Sequence, residues 1–425
     1  MKTVIMAGGK GTRIAEAAPL IPKPLIELCG KPVLQHEIEC LVSQGFVDII
    51  ITVSHMADKI MGYFGDGGRF GARIEYFVEE KPLGSAGALF RLRDRLSEDF
   101  LLLNADSLFD IDLNRFTAYH HEKQALATIF THPNSHPYDS GLIEADENGA
   151  VTAWLAKEDA RPEWYHNRVN AGLHILSPKV LDMCGSPEKA DLDRQLLKPL
   201  CGTGKLFCYD SPEYVRDMGT PDRLESVRRD LASGLTAAKS LRTRQKAVFL
   251  DRDGTLNRYV GFLRTPEQLE LLPDTAEAVR LINESGYLAV VVTNQPVIAR
   301  GEVTFEGLDL IHRKLETLLG REGAYIDGLY FCPHHPDKGF EGEVAELKTD
   351  CGCRKPKPGM LLKAAEDFGI DLAESFMIGD SENDIGAGKA AGCRTVLLGS
   401  GSFGQDFTAD SLLSAVKHII GGMDK

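Results

Sequence analysis

The sequence predicts an α/β protein built from two Rossmann-like domains in tandem. Three observations carry this. At 425 residues the chain is longer than one hydrophobic core usually serves. Apolar, β-rich runs alternate with helical spacing through both halves, the pattern of parallel sheets with crossover helices. A basic stretch without apolar periodicity, Gly234 to Gln245, separates the halves. The expected division is a first domain at 1–233, a linker at 234–245 and a second domain at 246–425.

In the first half, strands are expected at Thr3 to Ala7, Asp48 to Ser54, Arg73 to Val78 and Phe100 to Asn104. Val33 to Gln44 and Ser85 to Leu96 have amphipathic helical spacing between them. A helical stretch follows Pro221 and reaches about Ser233. The second half opens on the apolar strand Ala247-Val248-Phe249-Leu250, which runs directly into Asp251. Further strands are expected at Leu288 to Val292, Gly328 to Phe331, Ser375 to Ile378 and Arg394 to Leu398. Neither an internal repeat nor a low-complexity tract interrupts this order.

Composition narrows the function classes. With 43% apolar and 26% charged residues the chain reads as an ordinary globular protein, and no apolar run approaches a bilayer-spanning length. The first nine residues end in Gly8-Gly9 and read as a strand entering a loop, not as a signal peptide. A net charge of −14 argues against nucleic acid as the partner, because backbone binding needs a concentrated basic surface. Nine cysteines are too few and too irregular for a disulfide framework. A reducing cytoplasm and small-molecule substrates are the expectation, with no membrane partner. The oligomeric state is left open.

The densest chemical signal is Asp251-Arg252-Asp253-Gly254-Thr255 after the second half's first strand. Two carboxylates two residues apart at a strand end can face one site. The first can attack phosphorus while the second protonates the leaving oxygen and later activates water. Ile378-Gly379-Asp380-Ser381-Glu382-Asn383-Asp384 supplies a third carboxylate, Asp380, for Mg²⁺, with Asp384 as a second candidate or a support. Thr293-Asn294 ends one strand, and Lys355 lies in Cys353-Arg354-Lys355-Pro356. A hydroxyl, adjacent amides and a lysine are what a phosphoryl group in transfer requires.

Together these four elements resemble the haloacid dehalogenase-like phosphatases over about 246–401. The resemblance implies Asp251 as nucleophile, Asp253 as acid/base, and Thr293 and Lys355 as phosphate ligands. Mg²⁺ would be held by Asp251, Asp380 and the Asp253 carbonyl. The family's cap over the site should be minimal here, since few residues separate Thr255 from Thr293.

Cys332-Pro333-His334-His335 and Cys351-Gly352-Cys353 offer three thiolates and two imidazoles. Soft sulfur with nitrogen in a four-ligand set suits structural Zn²⁺, and Cys332, His334, Cys351 and Cys353 are the chosen ligands. A closed site of this kind would stiffen a long polar loop just before Arg354 and Lys355. The combination resembles the zinc-containing D-glycero-D-manno-heptose 1,7-bisphosphate and histidinol-phosphate phosphatases. The stretches Thr293-Asn294-Gln295 to Ile298-Ala299-Arg300-Gly301 and Cys353-Arg354-Lys355-Pro356 look more like the heptose group. Asn294, Arg300 and Arg354 are then substrate contacts, the two arginines toward the far phosphate or the sugar. Pro296-Val297 departs from the small residues usual in that group.

In the first half, Ala7-Gly8-Gly9-Lys10-Gly11-Thr12-Arg13 follows the first strand, and Pro22-Lys23-Pro24-Leu25 comes soon after. Glycines let backbone amides approach triphosphate oxygens, so Gly8, Gly9, Gly11 and Thr12 are nucleotide-binding candidates. Arg13 and Lys23 would offset charge on departing pyrophosphate. No Gly-Lys-Ser/Thr opens a helix, so this is not a Walker A loop. Pro82-Leu83-Gly84-Ser85-Ala86-Gly87 is a second small-residue loop, with Gly84 placed to pack against base or ribose. Asp106 and Asp217 could share a second Mg²⁺.

These motifs resemble the sugar-1-phosphate nucleotidylyltransferases over about 1–232, closest to the D-glycero-α-D-manno-heptose 1-phosphate guanylyltransferases. The resemblance implies a nucleotide-diphospho-sugar transferase fold. It also implies attack of a sugar phosphate oxygen on the α-phosphorus of an NTP, with GTP as the expected donor. Lys157 would hold the sugar phosphate, and Asn170 and Gly172 would line the sugar pocket. Leu155-Ala156-Lys157-Glu158 lacks the acid that the family often places before the lysine. Joined in one chain, the halves imply consecutive steps toward a nucleotide-activated heptose for surface polysaccharide such as lipopolysaccharide. The alternative is a histidinol-phosphate-like phosphatase fused to a mannose- or glucose-type nucleotidylyltransferase.

Overall fold

The computed structural model describes residues 1–9, 21–183, 185 and 187–422. They form two compact units. The first holds 1–132, 141–156 and 168–240; the second holds 133–140, 157–167 and the chain from 241 onward. Among the described residues no helix is long and apolar enough to cross a membrane.

The first unit contributes β1 (Lys2–Met6), a hairpin of β2 (Glu27–Leu28) and β3 (Lys31–Pro32), β4 (Asp48–Val53), β5 (Arg73–Val78) and β6 (Phe100–Asn104). It continues with β7 (Ser107–Asp110), β8 (Ala127–His132), β9 (Leu142–Ala145), β10 (Val151–Leu155), β11 (Val169–Leu176), β12 (Leu206–Asp210) and β13 (Tyr214–Asp217). The main sheet runs β10-β9-β11-β6-β1-β4-β5, with β8 paired to β11 and β12 paired to β8. Its centre, β6-β1-β4-β5, is parallel as expected. The sheet as a whole is mixed, because β11 runs antiparallel to β6, β8 and β9. Period counting alone does not reveal strand direction, so this departs from the expected parallel sheet.

The parallel strands are apolar on both faces because helices cover both. Ile5, Ile49 and Ile51 pack on one side with the helix Val33–Ser43, while Val4, Ile50 and Leu102 pack on the other with the helix Gly87–Arg91. The expected helix Ser85 to Leu96 is only Gly87–Arg91, followed by a 3₁₀ turn at Arg93–Arg95. Its start is fixed by tertiary contact: Ala86 N donates to Ala190 O (3.0 Å) and Leu192 N to Ser85 Oγ (2.9 Å).

The second unit carries β14 (Lys246–Leu250), β15 (Tyr287–Asn294), β16 (Gly328–Cys332), β17 (Phe376–Gly379), β18 (Arg394–Leu398) and β19 (Phe407–Ala409). They form one sheet, β16-β15-β14-β17-β18-β19, with every pairing parallel. The central strand β14 is buried along Ala247 to Leu250. Only a loop and a 3₁₀ turn at Pro266–Gln268 lie between Asn257 and the helix Thr275–Asn283, so no cap domain is inserted there.

The segment 157–167 is tied to the helix Phe305–Arg321 within this unit. Tyr165 N donates to Thr317 Oγ1 (2.9 Å), and that hydroxyl donates to Tyr165 O (3.1 Å). His166 meets Glu316 (2.8 Å) and Asp309 (2.9 Å), and Asn167 N donates to Glu316 (2.7 Å).

Candidate active sites

In a parallel sheet the strand C-termini share one edge, where loops can gather side chains from several strands. In the second unit β14 delivers Asp251 there, β15 delivers Thr293, and β17 is followed by Asp380. Lys355 arrives from a loop and lies at the centre. Its Nζ is 2.5 Å from Asp251 Oδ1, 2.6 Å from Asp384 Oδ1 and 2.8 Å from Val292 O. The Lys355–Pro356 bond is cis. Asn294 fixes the Lys355 backbone on both sides: its amide donates to Lys355 O (3.1 Å), and its carbonyl accepts from Lys355 N (3.0 Å).

Asp251, Asp380 and Asp384 offer carboxylate oxygens all within 4.8 Å of one another. Two glycines permit this crowding. A side chain on Gly254 would overlap the Asp380 carboxylate, and one on Gly379 would overlap Asp384. Gly254 also has φ +93°, open to glycine at least cost. Burial raises Asp251 above the ordinary carboxylate range; Lys355 pulls it back while Asp384 and Asp253 push it up again. Asp380 is raised by burial and by Asp384. Two buried carboxylates, Asp251 and Asp384, and the exposed Asp380 around one lysine leave negative charge that a hard divalent cation would neutralise, so this donor set fits Mg²⁺.

Asp253 points elsewhere. Its carboxylate accepts from Arg252 (3.2 and 2.8 Å), Asn257 (3.0 Å) and Gln295 (2.9 Å). Burial would raise it, but the Arg252 charge and these hydrogen bonds outweigh that and hold it below its usual value. Gln295 Nε2 also donates to Thr293 Oγ1 (2.9 Å), linking acid/base candidate and hydroxyl. Arg252, Asn257 and Gln295 had no role from sequence alone, although two of them sit inside quoted motifs. Asp384 joins the carboxylate cluster directly, with Ser381 N and Oγ donating to its other oxygen (3.1 and 2.6 Å).

Cys332, His334, Cys351 and Cys353 converge, their ligand atoms all within 4.8 Å. Sulfur separations are 3.2–3.4 Å, and His334 Nδ1 lies 3.6 Å from Cys332 and 3.4 Å from Cys353. These are too long for disulfides, and all three cysteines are free. Three sulfurs and one nitrogen at such spacing fit a tetrahedral Zn²⁺ set. His335 is outside it: its Nδ1 accepts from Asp337 N (3.2 Å) and its ring packs on Phe340. Arg354 donates to His334 O (3.3 Å), which ties the cysteine loop to the chain carrying Lys355.

In the first unit Lys23 Nζ lies 2.5 Å from Asp106 Oδ2. Asp217 stands across the β13–β7 pair from Ser107, and Met218 N donates to Asp106 O (3.1 Å), so the two aspartates adjoin. Arg223 (3.0 and 3.1 Å) and Gly219 N (2.8 Å) hold the Asp217 carboxylate. Burial would raise Asp217, but Arg223 and these bonds bring it below its usual value. Two aspartates on neighbouring backbone suit a hard cation that keeps phosphate and water as its other ligands. Buried Glu37 lies beside them, raised by burial and by Asp106, and sequence reasoning passed over it.

Gly8 and Gly9 follow β1 after Ala7, and a side chain on Gly8 would meet Glu79. Gly11, Thr12 and Arg13 lie outside the described residues. Gly84 (φ +80°) is pressed against Ala190 O. Asn170 and Gly172 share a bulge in β11, where Gly172 (φ +79°) abuts Asn104 at the end of β6. Lys157 is exposed, in the segment counted with the second unit.

Fold and geometry thus define an α/β protein with two separate sites suited to phosphate chemistry. Residues 2–234 match the nucleotidyl transferase family, and residues 352–418 match the HAD-hydrolase-like family. A UTP–glucose-1-phosphate uridylyltransferase of Synechocystis is 35% identical over 54% of this chain and 63% of its own length. A mannose-1-phosphate guanylyltransferase of Mycobacterium tuberculosis is 30% identical over 56% of this chain and 67% of its own. The chain therefore spans about two thirds of these relatives. A D-glycero-beta-D-manno-heptose-1,7-bisphosphate 7-phosphatase of Yersinia pestis is 43% identical over 36% of this chain and 79% of its own length. The chain belongs to the nucleotidyl transferase family through its first half and to the family of this Yersinia phosphatase through its second.

Proposed function

We propose that the chain is a bifunctional cytoplasmic enzyme of heptose activation. The second unit removes the 7-phosphate of D-glycero-D-manno-heptose 1,7-bisphosphate, and the first transfers a nucleotidyl group to the resulting heptose 1-phosphate. The observation that carries the phosphatase reading is Asp251 at a strand end, paired with Lys355 and ringed by Asp380 and Asp384, beside a separately held Asp253.

In this reading an Asp251 oxygen bonds to phosphorus as the sugar–oxygen bond to phosphorus breaks. For the first step Asp253 must carry a proton, against the Arg252 charge that favours its ionised form; it gives that proton to the departing sugar oxygen, then takes one from the water that releases phosphate from Asp251. Thr293 and Lys355 bind the phosphoryl oxygens, and Lys355 also holds Asp251 in place. Mg²⁺ held by Asp251, Asp380 and the Asp253 carbonyl, with Asp384 as a fourth donor, would neutralise phosphoryl charge. Zn²⁺ on Cys332, His334, Cys351 and Cys353 would be structural.

In the first unit Gly8, Gly9, Gly11 and Thr12 would cradle the triphosphate, with Arg13 and Lys23 on the departing pyrophosphate. Asp106 and Asp217 would hold Mg²⁺. Asn170 and Gly172 would meet the sugar, and Lys157 its phosphate. GTP is the donor in this reading. The matched relatives are named for uridylyl and guanylyl transfer alike, so NTP choice is the point to measure.

The test incubates the protein with heptose 1,7-bisphosphate, Mg²⁺ and each NTP in turn, and identifies the product by mass spectrometry. A heptose carrying GMP is expected. Asp251→Asn should abolish phosphate release yet leave nucleotidyl transfer to supplied heptose 1-phosphate, and Asp106→Asn should do the reverse. Loss of both activities in both variants would refute two independent sites.

A further inference from the structure

The Arg300 guanidinium lies over two aromatic rings. Its central carbon is 4.3 Å from the centroid of Phe262 and 4.5 Å from that of Phe340. The rings come from separate loops: Phe262 follows the Asp251 motif, and Phe340 stands between Cys332 and Cys351. The Arg300 loop is joined to the cysteine loop by backbone. Val344 N donates to Ala299 O (3.0 Å), Ala299 N donates to Pro333 O (3.2 Å), and a side chain on Gly301 would overlap Gly342 O. Arg300 Nε is buried with no hydrogen-bond partner among the described residues. The adjacent carboxylate, Glu302, is engaged by Arg264 (2.6 Å).

An arginine held against two rings has lost most of the rotamer freedom of its long side chain before any ligand arrives. Arg354 and Arg300 both act electrostatically on buried His335, so two guanidinium charges gather in one neighbourhood. Such a charge, held rigid and without a carboxylate partner among the described residues, is preorganised for an anion.

We propose that Phe262 and Phe340 are positioning residues that hold Arg300 as the receptor for a second anionic group on the phosphatase substrate. The aromatic clamp thereby sets the preference for a bisphosphate over a simple monoester. This rests on the reading of Arg300 as a contact to the far phosphate. It adds that selectivity depends on a ring carried by the metal-ligand loop.

The test compares kcat/KM for heptose 1,7-bisphosphate with that for p-nitrophenyl phosphate, which has no second anion. Phe340→Leu and Phe262→Leu should each lower this ratio about tenfold through KM for the bisphosphate. Phe340→Tyr, which keeps the aromatic face, should restore it. Arg300→Met should lower the ratio at least as far as either leucine variant.

If both leucine variants keep the wild-type ratio while Arg300→Met loses it, the clamp is refuted and the arginine contact stands. If Arg300→Met also keeps the ratio, the far-phosphate reading itself falls. Equal losses on both substrates, or a tyrosine variant as poor as leucine, would make the rings mere loop packing and overturn the inference. Thermal melts of each variant separate misfolding from these outcomes.

Discussion

Asp253 shows how neighbours assign roles to two aspartates a single residue apart. Asp251 shares a lysine with a competing carboxylate, whereas Asp253 is held by Arg252, Asn257 and Gln295. Gln295 is the informative member because its amide also reaches Thr293. Gln295→Leu keeps the volume but removes a hydrogen bond to a charged group, an interaction of about 1.5–3 kcal/mol. We expect kcat for phosphate release to fall between about tenfold and a hundredfold with KM little changed. Steady-state kinetics checks this, and an unchanged kcat would mean that Arg252 and Asn257 suffice. The aspartates themselves were legible in sequence because a DxD at a buried strand end is a local pattern. Gln295 was not, because its partner is 42 residues away and only the fold brings them together.

At the scale of elements, the loop from Cys332 to Cys353 has little apolar content and only a 3₁₀ turn at Ala345–Leu347. Its order must come from the Cys/His cluster and from backbone contacts to the Arg300 loop. Cys353→Ser, or treatment with a strong chelator, should release about one zinc per chain. It should also lower the melting temperature of the second unit and reduce phosphatase kcat/KM, since Lys355 is two residues from Cys353. Elemental analysis with a thermal melt tests this; a chelated protein with unchanged melting and activity would refute the bracing role. The cysteine spacing made the convergence of these four residues readable in advance. The Phe340 contact was not readable, because a lone aromatic in a polar loop carries no periodic signal.

Across the whole molecule, the segment 157–167 carries a charge network that the chain order conceals. Burial would lower His166, but Glu316 and Asp309 together raise it to about 10. A histidine whose folded value lies above its unfolded one stabilises fully below about pH 6.5 and loses that contribution as pH rises through the folded value. Asp309 is depressed by His166 and Arg313, so its share is present at neutral pH and lost in acid. His166→Gln should therefore destabilise the second unit by roughly 1–3 kcal/mol near pH 6. The difference from wild type should shrink steadily from pH 7 to pH 10. Denaturant melts across that range test it, and a constant difference would show that packing, not charge, is lost. Much of the protein was set by sequence alone: two α/β halves, the strands that end at Asp251, Thr293 and Asp380, and the cysteine cluster. These follow from short-range periodicity and spacing, which the backbone imposes on neighbouring residues. Only the tertiary structure decided the antiparallel flank of the first sheet, the placing of Asp384 in the carboxylate cluster, the cage around Asp253 and the aromatic clamp on Arg300. Each of these depends on groups far apart in the chain that meet only when the packed core fixes where the loops end.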